Sequence, residues 1–177
     1  MEISPKELKK YKKNTIVLIG HMGSGKSIIG KKLAKILNWD HFDSDKEIEK
    51  KENKTIAQIF EIYDEKYFRR NEELIVDSLT SKKYSVISLG GGAILSKRIR
   101  SQIKRKCISI FLKVDIKILI KRLKNSSRRP LLFNTNIKDK IVSLNSERLK
   151  YYNQADIIID NSESLNKILK NIIKILK

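Results

Sequence analysis

Cysteine is almost missing from this chain. Cys107 is the only one among 177 residues, so no internal disulfide can form. Long apolar runs are missing too: none approaches the roughly 18 residues needed to span a bilayer. The opening Met1-Glu2-Ile3-Ser4-Pro5-Lys6 lacks the apolar stretch of a signal peptide. A soluble, cytoplasmic protein with no membrane partner is therefore the expectation. Acidic residues are scarce, with 20 Asp+Glu against 39 Lys+Arg and a net charge of +19. Such an excess attracts nucleic acid, anionic lipid or small anions. However, no Arg-rich arm and no aromatic-basic motif accompanies it, and the lysines run evenly from Lys6 to Lys177. Compositional bias plus small anionic ligands accounts for this pattern better than a polyanion, and no nucleic-acid partner is expected. Neither an internal repeat nor a linker is visible, so residues 1–177 read as one domain, with a monomer as the expectation.

What is present is an alternation of short apolar runs with helical patterns. Thr15-Ile16-Val17-Leu18-Ile19 is continuously apolar after its first residue, as a strand buried on both faces should be. Ile28, Ile29, Leu33, Ile36 and Leu37 then recur at helical spacing. A second strand around Trp39–Asp43 leads into a helical pattern reaching about Thr80. Ser85–Leu89 and Cys107–Leu112 read as strands, Asp115–Leu123 and Ile137–Tyr152 as helices, and Ile157–Ile159 as the last strand before a helix capped by Ser162. Trp39, Phe42 and Cys107 look like core, the last as an inert residue of a central strand, and His41 has no obvious partner. This order predicts an α/β fold with a five-stranded parallel sheet between two layers of helices. Ligands then belong beyond the carboxyl ends of the strands.

The turn after the first strand is Gly20-His21-Met22-Gly23-Ser24-Gly25-Lys26-Ser27, which fits G-x4-G-K-[ST] in the strand-to-helix context that motif requires. Its backbone N–H groups and the following helix N-terminus make a phosphate cradle. Lys26 is placed to bridge β- and γ-phosphates, and Ser27 to ligate Mg²⁺. A nucleotide phosphotransferase using ATP follows. His21 reads as a neutral filler of the loop rather than a phosphate ligand.

The loop does not name an acceptor, but other segments do by resemblance. Asp43-Ser44-Asp45, Phe68-Arg69-Arg70-Asn71-Glu72, Gly90-Gly91-Gly92, Arg129-Pro130-Leu131-Leu132 and Glu147-Arg148, together with the phosphate loop, resemble the shikimate kinase family in order and spacing over residues 15–160. The resemblance implies a P-loop kinase of nucleoside-monophosphate-kinase type, with a lid at about 124–136. It also implies transfer of the ATP γ-phosphoryl group to the 3-hydroxyl of shikimate, in the route to chorismate and the aromatic amino acids. Carried residue by residue, it makes Gly23, Ser24, Gly25, Lys26, Ser27 and Ile28 the nucleotide-binding run and Arg122 an adenine-stacking residue. Asp43 becomes a residue that acts on Mg²⁺ through water, close to Ser27. Asp45 becomes the residue holding the acceptor hydroxyls, either as general base or by positioning alone. Arg69, Gly90, Gly91, Gly92 and Arg148 bind the acceptor, with Glu72 one turn from Arg69 as its brace. Arg129 is the lid arginine on the transferring phosphoryl group.

Independent chemistry agrees, since a carboxylate substrate calls for guanidinium forks and its hydroxyls for a carboxylate acceptor. Plainer readings remain for single residues: Asp45 as a helix cap, and Arg69–Glu72 as a surface pair. The chain departs from the family at Ile28, Asn53, Asp64 and Leu89. After Arg148 its register slips by one, leaving Tyr151 and Tyr152 to compete for one tyrosine position. A related small-molecule kinase such as a gluconate kinase is the alternative.

Overall fold

The computed structural model describes residues 11–124 and 136–177. Five parallel strands are ordered β2-β3-β1-β4-β5: β1 Thr15–Ile19, β2 Asp40–Asp43, β3 Ser85–Ser88, β4 Ile108–Lys113 and β5 Ile157–Asp160. Alternate residues of each strand feed opposite faces. Ile16 and Leu18 join Ile108, Ile110 and Leu112 in one core cluster, under α1 (Lys26–Leu37) and α8 (Leu165–Leu176). Val17 and Ile19 join Ile87 and Phe111 in the other. That cluster lies under α4 (Glu65–Thr80), α5 (Lys97–Lys106) and α7 (Ile137–Tyr152). The layered α/β fold expected from the sequence is thus observed.

The remaining helices are short. α2 (Ser44–Glu52) and α3 (Ile56–Ile62) pack with α4 around Ile48, Ile59 and Phe68. α6 (Ile116–Lys124) packs on α7 around Leu119, Leu123 and Ile141. Asn53 ends α2 at φ 50, a left-handed position that asparagine tolerates better than most residues. Thr55 and Gln58 form a reciprocal capping box that opens α3. Among the described residues, no helix is long and apolar enough to cross a membrane.

Several local expectations need correction. The N-cap position of the final helix is Ser164, not Ser162, and its side chain makes no capping bond. Asp160 Oδ1 accepts from the Ser162 backbone N–H at 3.0 Å, so the chain is still turning there. Cys107 is not in a strand; it ends α5, buried, and burial pushes its thiol up to about 12, which keeps it inert. Trp39 and Phe42 are half-buried flanks of the two clusters rather than their centres. His41 does have a partner: its Nε2 lies 3.0 Å from Ser88 Oγ on the neighbouring strand. Residues 97–106, given no element above, form α5.

Candidate active site

β1, β2 and β3 all end on one side of the sheet, and each is followed by a segment with chemistry. After β1, Gly25 sits at φ 83, where a side chain would be strained, and opens α1. Lys26 Nζ folds back to donate to the Gly20 and His21 carbonyls, 2.8 Å each. Asn161, just beyond β5, donates its side-chain N–H to the Ser24 carbonyl and pins the loop from the far side. Arg122 Nη1 donates to the Gly23 carbonyl at 3.2 Å, so the guanidinium lies beside the loop. Ile28, one turn into α1, is 61% exposed.

At the end of β2, Asp43 Oδ2 accepts from Ser27 Oγ at 2.5 Å. Hard oxygens are thus paired at the mouth of the loop. No cluster of three or more His, Cys, Asp or Glu residues that could hold a metal occurs among the described residues. This donor set fits a magnesium ion, which takes one or two protein oxygens and fills its shell with water and substrate phosphates. Asp43 is also the N-terminal flank of α2, and Asp45 lies in the first turn, where the helix dipole favours a negative charge.

The third segment, Gly90–Gly92, gathers the acceptor-side groups. A Cβ on Gly90 would run into the Asp45 carboxylate and come within 3.1 Å of Glu72 Oε1. On Gly92 it would lie 2.7 Å from Arg69 Nη1. On Gly91 it would lie 3.6 Å from Arg148 Nη1 and 3.4 Å from the Met22 backbone nitrogen of the phosphate loop. Side chains from α2, α4 and α7 therefore meet the phosphate loop around one turn that lacks side chains of its own. The turn is fixed at both ends: Ser44 Oγ accepts from the Gly90 N–H at 2.8 Å, and Tyr152 Oη donates to the Gly91 carbonyl at 2.7 Å.

Arg69 donates from Nη1 to Glu72 Oε2 at 2.8 Å and from Nη2 to Glu65 Oε1 at 3.0 Å. The Glu72 side chain is only 2% exposed. Burial pushes its carboxyl up to about 7, because desolvation exceeds the pull of Arg69 and nearby Asp45 adds repulsion. Burial opposes the charge of Arg69, but Glu72 and Glu65 together hold its pKa above the ordinary value. Arg148 is buried as well, and its Nε makes no hydrogen bond among the described residues. Glu147 lies 3.8 Å away, too far for one. An unmatched buried donor costs about 1–3 kcal/mol and calls for a reason. An anionic ligand on that guanidinium is such a reason.

Of the residues singled out from sequence, the structure brings together Lys26, Ser27 and Asp43 on one side, and Asp45, Arg69, Gly90, Gly91, Gly92 and Arg148 on the other. Arg70 is exposed. Of the lid expected at about 124–136, residues 125–135, including Arg128, Arg129 and Pro130, lie outside the described residues. Tyr152, not Tyr151, holds the glycine turn. Asn161 and Ser44 were not singled out, since their partners lie 137 and 46 residues away.

The model of the family "Shikimate kinase" matches residues 22–177. A shikimate kinase from Bartonella quintana is 38% identical over 174 residues, covering 98% of this chain and 83% of that protein. Among solved structures, shikimate kinase from Acinetobacter baumannii in complex with shikimate superposes with a TM-score of 0.89 at 32% identity, covering 96% of each chain. A gluconokinase from Sinorhizobium meliloti gives a TM-score of 0.64 at 18% identity over 92% of this chain and 91% of that one, a likeness of fold alone.

Proposed function

The chain belongs to the shikimate kinase family, and from that premise we propose that it transfers the γ-phosphoryl group of Mg·ATP to the 3-hydroxyl of shikimate, as a step towards chorismate and the aromatic amino acids. The observation that carries this reading is the Gly90–Gly92 turn, where Asp45, Arg69 and Arg148 converge within reach of the phosphate loop. Arg69, braced by Glu72 and Glu65, and Arg148, whose buried Nε is unmatched among the described residues, suit a ring carboxylate held between two guanidiniums. Asp45 accepts hydrogen bonds from the ring hydroxyls and orients one towards the terminal phosphorus. In a loose transition state, positioning contributes more than proton removal.

Lys26 leaves its two carbonyl partners, which hold it ready at the loop, for the phosphoryl oxygens. Ser27 and Asp43 would hold the magnesium ion, which when bound neutralises the β- and γ-phosphates. Arg122, which donates to the Gly23 carbonyl of the loop, would stack on the base. Arg129 is assigned to the transferring group on its place before Pro130. The test is a coupled ADP-release assay offering shikimate, gluconate and nucleoside monophosphates in turn. Turnover with shikimate alone is expected. Turnover with gluconate and none with shikimate would replace this reading by the alternative kinase.

A further inference from the structure

His21 is the second residue of the phosphate loop, and its side chain turns away from the phosphate side into the protein. It is 4% exposed. Its Nε2 lies 3.0 Å from Asn145 Oδ1, and its ring meets Tyr152 edge-on with centroids 4.9 Å apart. A carbonyl oxygen only accepts, so Nε2 donates in this bond, and burial favours the neutral ring. Burial holds the imidazole down at about 4, with Arg148 and Lys26 adding repulsion and the Asn145 bond opposing them.

Asn145, Arg148 and Tyr152 stand at i, i+3 and i+7 of α7, which places them on one face. Together they span the phosphate loop and the glycine turn. Asn145 meets the phosphate loop through His21, Arg148 reaches Gly91, and Tyr152 fixes the Gly91 carbonyl. The loop has ties of its own, from Asn161 to the Ser24 carbonyl and from Arg122 to the Gly23 carbonyl, and it is closed internally by the Ser24 N–H on the His21 carbonyl at 3.1 Å. On the α7 face, Tyr152 is tied to the Gly91 carbonyl and stacked on Phe111 one turn beyond Arg148, Asn145 is tied to His21 one turn before it, and Arg148 Nε has no hydrogen bond among the described residues.

We infer that His21 and Asn145 form a positioning pair that sets the register of α7 against the phosphate loop and so holds Arg148 at the acceptor. The inference rests on the reading of Arg148 as an acceptor-binding residue. The imidazole touches no reacting atom; it acts through Asn145 and the helix. Removing the bond lets α7 settle away from the loop, while the loop keeps its ties. The loss therefore falls on the acceptor rather than the nucleotide. A buried donor or acceptor left unmatched corresponds to about a tenfold effect or more.

Steady-state kinetics with shikimate and ATP varied separately tests the pair. His21→Leu and Asn145→Leu should each raise the shikimate KM about tenfold, with the ATP KM changed less than about twofold. The double variant should be no worse than either single one, because one bond is lost in all three. His21→Gln, which can present an N–H near the same place, should restore the shikimate KM. Equal loss of both KM values, no change in either, or failure of His21→Gln to rescue would overturn the inference. If His21→Leu does not fold, Asn145→Leu and His21→Gln carry the same test. Arg148→Ala separates the two readings. An unchanged shikimate KM there removes the acceptor role of Arg148 and the inference with it. A raised KM there with no effect of Asn145→Leu removes the inference alone.

Discussion

Two buried titrating groups pull the stability of this protein in opposite directions between pH 4 and 7, and removing either should expose the other. His21 falls from its ordinary 6.5 to about 4 because burial disfavours the imidazolium. The unfolded chain takes up that proton below about 6.5 while the native protein refuses it, so stability is lost as pH falls from 6.5 to about 4. Glu72 rises from its ordinary 4.5 to about 7, with burial the first cause and Arg69 opposing it. The native protein keeps that proton while the unfolded chain releases it, so stability is lost as pH rises from 4.5 to about 7. Each shift corresponds to about 3–4 kcal/mol at roughly 1.4 kcal/mol per pH unit. Between pH 4.5 and 6.5 the two slopes cancel. Urea unfolding across that range should show Glu72→Gln gaining stability towards pH 6.5 relative to the parent, and His21→Gln losing it. The double variant should run parallel to the parent, which also removes the background from other carboxylates. Single variants that run parallel to the parent over this interval would refute the reasoning.

Two glycine substitutions should separate stability from acceptor binding. A Cβ at Gly30 of α1 would lie 2.6 Å from Ser88 Oγ and 2.8 Å from His41 Nε2, between a helix and the sheet. Gly30→Ala should cost about 1–3 kcal/mol by overpacking, read from the denaturant midpoint; an unchanged midpoint would mean the sheet yields freely. At Gly92 the clash is with the guanidinium of Arg69, the far end of a flexible side chain. Gly92→Ala should therefore raise the shikimate KM with little change in the unfolding midpoint. A raised ATP KM instead would argue against Arg69 lying on the acceptor side.

The phosphate loop was legible because its determinants are local: glycines with positive φ, a lysine and a hydroxyl at a helix start. The Arg69–Glu72 brace was legible for the same reason, being a pair three residues apart on α4. The parallel sheet followed from continuous apolar strands, five residues buried in a row in β1. α5 is hard to read from sequence because its buried face is only Ile99, Gln102 and Ile103, so two apolar residues are all it offers in a run of lysines and arginines. The cap of α8 was misplaced because Ser162 and Ser164 are both capping residues, and Asp160 decides between them by turning the chain at Ser162. The bonds His21–Asn145, Tyr152–Gly91 and Asn161–Ser24 join residues 124, 61 and 137 positions apart, and no local pattern encodes such pairings. His41 gained its partner in the same way, through the register of β2 on β3.

The clamp on a ring carboxylate is tested most directly by titrating shikimate and a non-hydrolysable ATP analogue, separately, into the parent protein and Arg69→Ala. Truncating one side of a buried, charge-assisted contact corresponds to a loss of about thirtyfold or more. Shikimate affinity should fall by at least that factor, with the nucleotide's within about twofold. Equal weakening of both ligands, or shikimate binding unaltered, would contradict the account.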